Sequence, residues 1–560
     1  MPNHPKPFRR ALLRALATIA LASLAVSVAP VTATAQAPRV VDSLFAGMHA
    51  PTGPGCVIAL DSAGRRRGLT AFGRRDLERG GQNDSTTRFE AGSVSKQVAA
   101  AAVVLLARQG KLSLDDDVRR WIPELPDLGV ITVRQLLNHQ SGWRDWRNLA
   151  EMGRWTSSDA AWTNTDVLAM LSRQRALNFA PGSQYAYSNS NYVLAAILVE
   201  RVSGQSLAAF TTKAFFEPLQ MRATTWRDTP GALYPRRALG YSPNDDGTFA
   251  IDTPFETVIG PSGLLTTAPD LLRWLRNLDT EVVGGPGFRD AMERVGVLSS
   301  GRSTGYAMGL EVSTPGGVRV VSHAGWTGGY VAYAGRMPSR ALALVILCNG
   351  SAVNTDELGP MLLSTLARIP LPPADVRPAL GDTVTNGPGA RAAGTFRNSR
   401  NRQVVTVRTF ERGLAINTWL GYTPVAPDRY RSSDGTRELI LHADASGTVT
   451  AFTLHASDGD SVQYLRLEAA NVPSTPLDAY TGRYHNSDTD ATIEMVVRDG
   501  QLVAQRGAAL RDRAVPLFRD GFRVPSQSWV LTFTRAPDGT VNAFDLSLPR
   551  TRQLIFTRLP

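Results

Sequence analysis

Apolar positions in the first two thirds of the chain change between helix-like and strand-like spacing. Residues 97–110 (QVAAAAVVLLARQG) are apolar around most of a helix circumference, which predicts a buried helix ending near Gly110. Further helices are predicted at 132–137, 191–202, 268–278 and 356–368, and strands at 55–60, 318–322, 330–336 and 341–348. Strands at both ends with helices between them predict an α/β domain, in which a mixed antiparallel sheet packs against a helical region.

The pattern changes after residue 370. Prolines and glycines are dense over 371–388, which predicts a linker. Beyond it, short alternating strands such as 404–409 and 493–497 are separated by Asp-Gly and Ser-Gly turns. The sequence at 394–399 (GTFRNS) recurs 88 residues later as GRYHNS, and 447–452 (GTVTAF) recurs 92 residues later as GTVNAF. We therefore predict two homologous all-β domains at 389–470 and 471–560, each a lipocalin-like barrel or sandwich with a structural, substrate-gating or oligomerising role.

The N-terminal segment resembles a secretory signal peptide. Four basic residues precede an apolar run at 15–31, and Ala33-Thr34-Ala35 provides a small-residue cleavage site. This predicts a signal peptide at 1–35, followed by the α/β domain at 36–370. The protein is then expected to be exported, to the periplasm or the extracellular space. The apolar run is short for a spanning helix, so no stable membrane anchor is expected.

Charge and cysteine content narrow the classes of partner. The net charge is +11, but the basic residues are spread along the chain without the blocks that follow nucleic-acid phosphates, so no nucleic-acid partner is expected. Cys56 and Cys348 both lie in predicted strands. They could form a disulfide in an oxidising compartment or remain two buried thiols.

The tetrapeptide Ser93-Val94-Ser95-Lys96 is the first candidate for chemistry. Only four of the sixty basic residues are lysines, and lysine, unlike arginine, can lose its proton in a buried site. Residues three apart share a helix face, so Lys96 could contact the Ser93 hydroxyl. Two mechanisms stay open: a lysine of lowered pKa removes the proton itself, or a charged lysine lowers the pKa of a second base.

Two later motifs could complete such a site. Tyr187-Ser188-Asn189 precedes the predicted helix 191–202 and offers a phenol as the second base. His323-Ala324-Gly325 follows the predicted strand 318–322, where small residues let a substrate lie along the strand. A second histidine, His139, is assigned a structural role in a loop.

Together these motifs resemble the penicillin-recognising serine hydrolases, which include class C β-lactamases, D-Ala-D-Ala carboxypeptidases, D-aminopeptidase and related esterases. The resemblance covers about 45–368 and rests on five segments in order: 89–96 (FEAGSVSK), 131–142 (ITVRQLLNHQSG), 181–192 (PGSQYAYSNSNY), 263–267 (GLLTT) and 322–325 (SHAG). It implies the fold of those enzymes and a two-step reaction through an acyl-enzyme. No metal or cofactor is implied.

The resemblance also implies a role for each matching residue. Ser93 would be the acylated nucleophile, with Lys96 assisting its deprotonation. Tyr187 would be the general base and acid, and Asn189 would orient Lys96 and the substrate. His323 would complete the catalytic set, and Gly325 would let the substrate approach. The backbone N–H groups of Ser93 and Trp326 would form the oxyanion hole.

One departure from the family pattern concerns the substrate. β-Lactamases and carboxypeptidases usually carry Lys-Thr-Gly where this chain has His323-Ala324-Gly325, and histidine is largely neutral at pH 7. This favours a secreted serine hydrolase that acts on short peptides, amides or esters, including substrates with D-amino acids. The His-x-Gly form resembles that of the D-aminopeptidase-like and esterase-like members of the family. The alternatives are a class C-like β-lactamase or D-Ala-D-Ala carboxypeptidase, and a non-catalytic penicillin-binding or sensing protein.

Overall fold

In the computed structural model, residues 52–152, 162–369 and 390–560 are described, the last range with short gaps at 401, 411–412, 417–419, 433–436, 457–460, 468–475, 508–509, 528 and 549. The predicted signal peptide and the predicted linker lie outside the described residues. The structure has an α/β domain followed by two all-β units, so the predicted fold class is confirmed.

The α/β domain contains eleven strands and nine helices among its described residues. The strands are β1 (Cys56–Ser62), β2 (Arg65–Phe72), β3 (Phe89–Glu90), β4 (Thr225–Trp226), β5 (Tyr241–Pro243), β6 (Phe249–Ile251), β7 (Leu264–Thr266), β8 (Glu311–Ser313), β9 (Val320–Thr327), β10 (Tyr330–Met337) and β11 (Leu342–Cys348). The helices are α1 (Ser95–Arg108), α2 (Val133–Leu137), α3 (Trp146–Met152), α4 (Asn164–Ser172), α5 (Ser190–Ser203), α6 (Leu207–Thr211), α7 (Ala268–Thr280), α8 (Phe288–Met292) and α9 (Thr355–Leu366).

A six-stranded sheet of order β2-β1-β11-β10-β9-β8 joins the two ends of this domain. Each neighbouring pair is antiparallel, and β1 from the start of the domain pairs with β11 from its end. Strand β9 runs past the predicted end of its strand at residue 322. His323 and Gly325 therefore lie inside β9, because small side chains do not break a strand that is paired with β10 along this stretch.

Helix α1 is the buried centre of the helical region. Its residues from Ser95 to Val104 and Leu106 are almost completely enclosed, and an alanine-rich sequence favours a helix that neighbours can approach closely. A short 3-10 turn, Gly92–Val94, precedes it. The nucleophile candidate therefore lies just before a rigid, buried helix.

The two cysteines form a disulfide between paired positions of β1 and β11. It links residues 292 positions apart in the sequence. Of the two possibilities that the sequence left open, the structure shows the disulfide.

Replacing both cysteines (Cys56→Ala with Cys348→Ala) should lower stability without changing catalysis. Removing a native disulfide typically costs about 2–4 kcal/mol, because the unfolded chain regains conformational freedom. Thermal unfolding should show a lower apparent Tm for the variant, and a reductant should lower the Tm of the natural protein only. Equal Tm values with and without reductant would contradict a stabilising disulfide.

The first all-β unit is a closed barrel of eight strands. These are β12 (Gly394–Asn398), β13 (Val404–Phe410), β14 (Gly413–Ile416), β15 (Leu420–Ala426), β16 (Arg429–Ser432), β17 (Arg437–Ala443), β18 (Val449–Ala456) and β19 (Ser461–Arg466). Its core is separate from that of the α/β domain.

The second unit is a nine-stranded sheet. Its strands are β20 (Gly482–Asn486), β21 (Ala491–Arg498), β22 (Gln501–Arg506), β23 (Leu510–Arg513), β24 (Val515–Phe518), β25 (Gly521–Val524), β26 (Trp529–Arg535), β27 (Val541–Leu548) and β28 (Thr551–Arg558). The repeat in sequence is a repeat in structure: Phe452 stacks on Tyr464 at 4.5 Å between ring centroids, and Phe544 stacks on Phe556 at 4.9 Å. Apolar residues of this second unit continue the core of the α/β domain.

Within the described part of the chain, no single helix is both long enough and apolar enough to cross a membrane. The consecutive segments Asn189–Ser203 and Leu207–Phe216 meet those criteria only as a pair, with a bend of 76° between them.

Candidate active site

Lys96 contacts Ser93 from a completely buried position. Its Nζ lies 3.1 Å from Ser93 Oγ, 3.0 Å from Asn189 Oδ1 and 2.9 Å from the carbonyl oxygen of Pro261. A neutral amine has two N–H bonds and one lone pair. If the two N–H bonds go to Asn189 and Pro261, which can only accept, the lone pair faces the Ser93 hydroxyl. The geometry thus suits a lysine that removes the Ser93 proton.

Electrostatics support the same assignment. Burial lowers the pKa of Lys96 well below its usual value, and the positive charge of Arg550 lowers it further, while the carboxylate of Asp145 raises it. The neutral amine is therefore present at lower pH than for an exposed lysine.

Tyr187 is the second group on the nucleophile. Its hydroxyl lies 2.8 Å from Ser93 Oγ, and its ring lies 4.8 Å from Lys96 Nζ. Burial raises the pKa of Tyr187, although its hydrogen bond with Ser93 opposes the shift. A phenolate is thus disfavoured, so the structure favours the first of the two mechanisms left open by the sequence: Lys96 as the base and a neutral Tyr187 as a proton donor and relay.

Asn189 is held by a carboxylate that sequence reasoning missed. Asp145 Oδ2 accepts hydrogen bonds from the Asn189 backbone N–H at 2.8 Å and from its Nδ2 at 2.9 Å. This fixes the side-chain amide with Oδ1 towards Lys96. Asp145 is almost fully buried, between Trp143 and Trp146 in the sequence. An acidic residue flanked by two tryptophans was the available signal.

His139 holds the loop that carries Asn189, in agreement with the structural role assigned to it. Its Nδ1 accepts hydrogen bonds from the Ser188 backbone N–H and from Asn191 Nδ2, at 3.2 and 3.1 Å. Its ring centroid lies 4.3 Å from that of Tyr187. Burial and the proximity of Lys96 lower its pKa, so it stays neutral. Its backbone φ of 57° shows that the loop turns sharply here.

His323 is also a neutral group. Its Nδ1–H donates to the carbonyl oxygen of Ala324 at 2.5 Å, which leaves Nε2 to accept from the Tyr306 hydroxyl at 2.9 Å. Burial lowers the pKa of His323 to about 3, and the charge of Lys96 acts in the same direction. The residue therefore supplies no fixed positive charge on β9. Tyr306, which donates to Nε2 of this tautomer, was not found from the sequence.

Gly325 permits a close approach of backbone to backbone. A Cβ at this position would lie 2.2 Å from Ala91 O and 3.1 Å from Ser93 N. A Cβ on Gly92 would lie 2.6 Å from Trp326 N. Glycine at both positions brings the backbone amides of Ser93 and Trp326 near each other, as the predicted oxyanion hole requires. The Trp326 side chain is 61% exposed.

Asp145→Asn should weaken the site in a diagnostic way. We expect kcat to fall about 10–100-fold, because hydrogen bonds to a charged group are stronger than those to a neutral one. Since the Asp145 carboxylate raises the pKa of Lys96, its removal should also move the acid limb of the pH–rate profile to lower pH. Asp115→Asn, an exposed pair with Arg134, is the matched control and should change neither quantity. An unshifted profile with unchanged kcat would contradict the positioning role.

A serine, a buried lysine and a tyrosine lie in mutual contact between a helix start and an antiparallel sheet, which is an arrangement typical of serine hydrolases. The family model described as Beta-lactamase matches residues 41–361. The chain belongs to the β-lactamase family of serine hydrolases.

Two relatives are similar to different lengths of this chain. The chain is 29% identical to penicillin-binding protein 4* of Bacillus subtilis over 299 residues, which cover 50% of this chain and 64% of that protein. It is 24% identical to a D-aminopeptidase of Cereibacter sphaeroides over 502 residues, which cover 87% of this chain and 89% of the relative. The second likeness includes most of the C-terminal region.

Solved structures show the same fold. The octameric penicillin-binding protein homologue from Pyrococcus abyssi aligns with a TM-score of 0.51 at 18% identity, over 77% of this chain and 99% of that one. A structure of SurE aligns with a TM-score of 0.52 at 19% identity, over 95% of this chain and 100% of that one.

Proposed function

We propose that this protein hydrolyses short peptides, amides or esters, with D-amino-acid substrates among them, through an acyl-enzyme on Ser93. The observation that carries the proposal is the Ser93 hydroxyl, which contacts both Lys96 Nζ and the Tyr187 hydroxyl. The likeness to D-aminopeptidases over most of the chain supports the substrate class.

In the proposed first step, Lys96 accepts the proton of Ser93 and then returns it to the leaving group. Ser93 Oγ attacks the substrate carbonyl carbon while its proton passes to Lys96 Nζ. The developing oxyanion is stabilised by the backbone N–H groups of Ser93 and Trp326. The bond to the leaving group then breaks, and the leaving nitrogen or oxygen takes a proton that Tyr187 relays from Lys96.

In the second step a proton passes from water to Lys96 and then back to Ser93. Water attacks the acyl carbon as Lys96, neutral again, accepts a proton through the same contacts. Asn189 and Asp145 hold the lysine in place during both steps. Ser93 is released when its Oγ recovers a proton.

Neutral His323 leaves β9 without a fixed cation, which disfavours β-lactams whose carboxylate would have to be bound at that position of the sheet. The competing function is a β-lactamase or D-Ala-D-Ala carboxypeptidase. The deciding experiment is a substrate profile over D- and L-aminoacyl p-nitroanilides, short acyl esters and nitrocefin, with mass spectrometry after a fluorophosphonate. An adduct on Ser93 with preference for a D-aminoacyl amide supports the proposal. Nitrocefin turnover equal to that of the best amide favours the competitor, and no adduct on folded protein would indicate a non-catalytic binding protein.

We also propose that the protein is exported after cleavage behind Ala35. The leader-like sequence at 1–35 supports this, and so does the disulfide between Cys56 and Cys348, since disulfides persist mainly in oxidising compartments. N-terminal sequencing of the protein from a periplasmic or culture-medium fraction tests it. A full-length chain in the cytosol would contradict it.

A further inference from the structure

The hairpin formed by β27 and β28 brings the second all-β unit to the active site. The carbonyl oxygen of Arg550, in the turn of this hairpin, accepts from Asn178 Nδ2 at 3.0 Å and from the Asp145 backbone N–H at 3.4 Å. Its own N–H donates to Asn148 Oδ1 at 3.2 Å. The backbone of Arg550 is therefore fixed to the α/β domain, and none of these three hydrogen bonds uses its side chain.

Further contacts between the α/β domain and the second all-β unit hold this hairpin in place. Arg144 is almost completely buried and forms an ion pair with Asp488 of the second all-β unit at 2.7 Å. It also donates to the carbonyl oxygens of Arg552 and Gln553. On another edge, Trp529 Nε1 donates to Glu151 Oε1 at 3.1 Å. A buried arginine with several charge-assisted bonds is a geometrically specific anchor.

The Arg550 guanidinium lies against the catalytic tyrosine. Its carbon Cζ is 4.8 Å from the centre of the Tyr187 ring, and one of its nitrogens is 3.9 Å from Asp145 Oδ2. The Asp145 carboxylate is already bonded to the Asn189 backbone and side chain at 2.8 and 2.9 Å. The Arg550 side chain is 48% exposed, so guanidinium N–H groups remain open to the space beside Tyr187.

This guanidinium is the cation that the histidine position on β9 does not provide. His323 is neutral and buried, and the amine of Lys96 is enclosed by its three oxygen contacts. Arg147 lies near the site as well, but it pairs with Glu256 at 3.5 Å. A planar guanidinium with open donors is well suited to a carboxylate, which it can bind through two parallel hydrogen bonds.

We infer that Arg550 is a specificity-determining residue, which binds a carboxylate of the substrate on the Tyr187 side of the site. The inference rests on the proposed serine hydrolase function and deepens it. Carboxylate recognition is thereby supplied by the C-terminal unit in place of the sheet. The carboxylate has two sources that the test distinguishes: a side chain of the acyl group, which fits the proposed function, or the C-terminus of a departing amino acid, which would be the competing carboxypeptidase activity.

The test compares substrates that differ only in charge, with Arg550→Gln, Arg550→Lys and the natural protein. The first arm uses D-glutamyl and D-glutaminyl p-nitroanilide, and the second uses an N-acyl-D-alanyl-D-alanine peptide with a free or an amidated C-terminus. In the arm that holds the true source, Arg550→Gln should lower kcat/KM for the anionic member about 10–100-fold, as loss of a charge-assisted hydrogen bond predicts. Because the charge of Arg550 also lowers the pKa of Lys96, its loss should move the acid limb of the pH–rate profile to higher pH for both members, so the two are compared above that limb. There the neutral member should change little, and Arg550→Lys should restore part of the loss.

Two controls separate the failure of this inference from the failure of the proposed function. Arg519→Gln removes the same charge from an exposed site in the same unit, where the side chain is 84% exposed, and should leave both ratios unchanged. The rate of Ser93 acylation by a neutral fluorophosphonate reports on the catalytic groups independently of a carboxylate. If Ser93 is acylated normally but Arg550→Gln changes the charged and neutral members equally in both arms, Arg550 acts only on the catalytic groups and the inference is overturned.

Discussion

Ser93→Ala should abolish turnover of each substrate that the natural protein hydrolyses. The hydroxyl is the atom that attacks, and neither Lys96 nor Tyr187 can replace it as a nucleophile at the same position. Loss of the nucleophile in serine hydrolases typically removes a factor of about 10⁶ in kcat. The measurements are kcat on the best p-nitroanilide and the mass of the protein after treatment with a fluorophosphonate, which should be unchanged.

Ser95→Ala is the matched control for this prediction. Ser95 lies two residues further along, is fully buried, and accepts a hydrogen bond from the Leu264 backbone N–H at 3.2 Å. Its loss should lower stability by about 1 kcal/mol and leave the adduct on Ser93 intact. Substantial turnover by folded Ser93→Ala, or an adduct that persists in it, would refute the assignment of the nucleophile.

Lys96→Arg should also reduce kcat severely, although by a smaller factor than Ser93→Ala. Arginine keeps its proton throughout the accessible pH range, so it cannot accept the proton of Ser93. Its larger head also has to fit among three oxygen atoms that enclose the lysine. We expect a loss of at least about 10³-fold, in the upper range for a general base.

The chain offers direct controls for Lys96→Arg, because Lys111 and Lys213 are exposed. Lys111→Arg and Lys213→Arg should retain full activity. To separate base chemistry from size, Lys96→Ala should regain activity when small primary amines are added, and a natural-protein profile of kcat/KM should rise with pH as Lys96 loses its proton. If Lys96→Arg keeps most of its activity, the lysine does not act as the base.

The sequence predicts best those features that depend on residues close together in the chain. Ser93 lies in the 3-10 turn that leads into α1 and Lys96 lies in the first turn of α1. The boundaries of the predicted helices differ from the observed ones by about one or two residues, as capping geometry commonly allows. The separation of the two β units was predictable because turn residues and aromatic positions recur in order. Local patterns therefore predicted the fold class and the repeat, and they predicted the contact between Ser93 and Lys96 that the structure shows.

The features that were missed depend on tertiary contacts. Asp145 acts only because α3 and the loop before α5 meet, and Tyr306 only because it reaches His323 on β9. Arg550 is more than 350 residues from Tyr187 in the sequence and belongs to a different unit. The choice of Lys96 rather than Tyr187 as the candidate base also depends on burial, which no spacing pattern reports.

The continuous core between the α/β domain and the last β unit has a consequence for how such an enzyme changes over generations. The groups that break the bond are confined to one domain, whereas a side chain beside them is presented by a hairpin from another. Substitutions in the turn of that hairpin can alter substrate preference while the helices and strands that carry Ser93 and Lys96 keep their sequence. Recombination of whole C-terminal units would be limited instead by the Arg144–Asp488 anchor, which both parents of a viable hybrid would need to share.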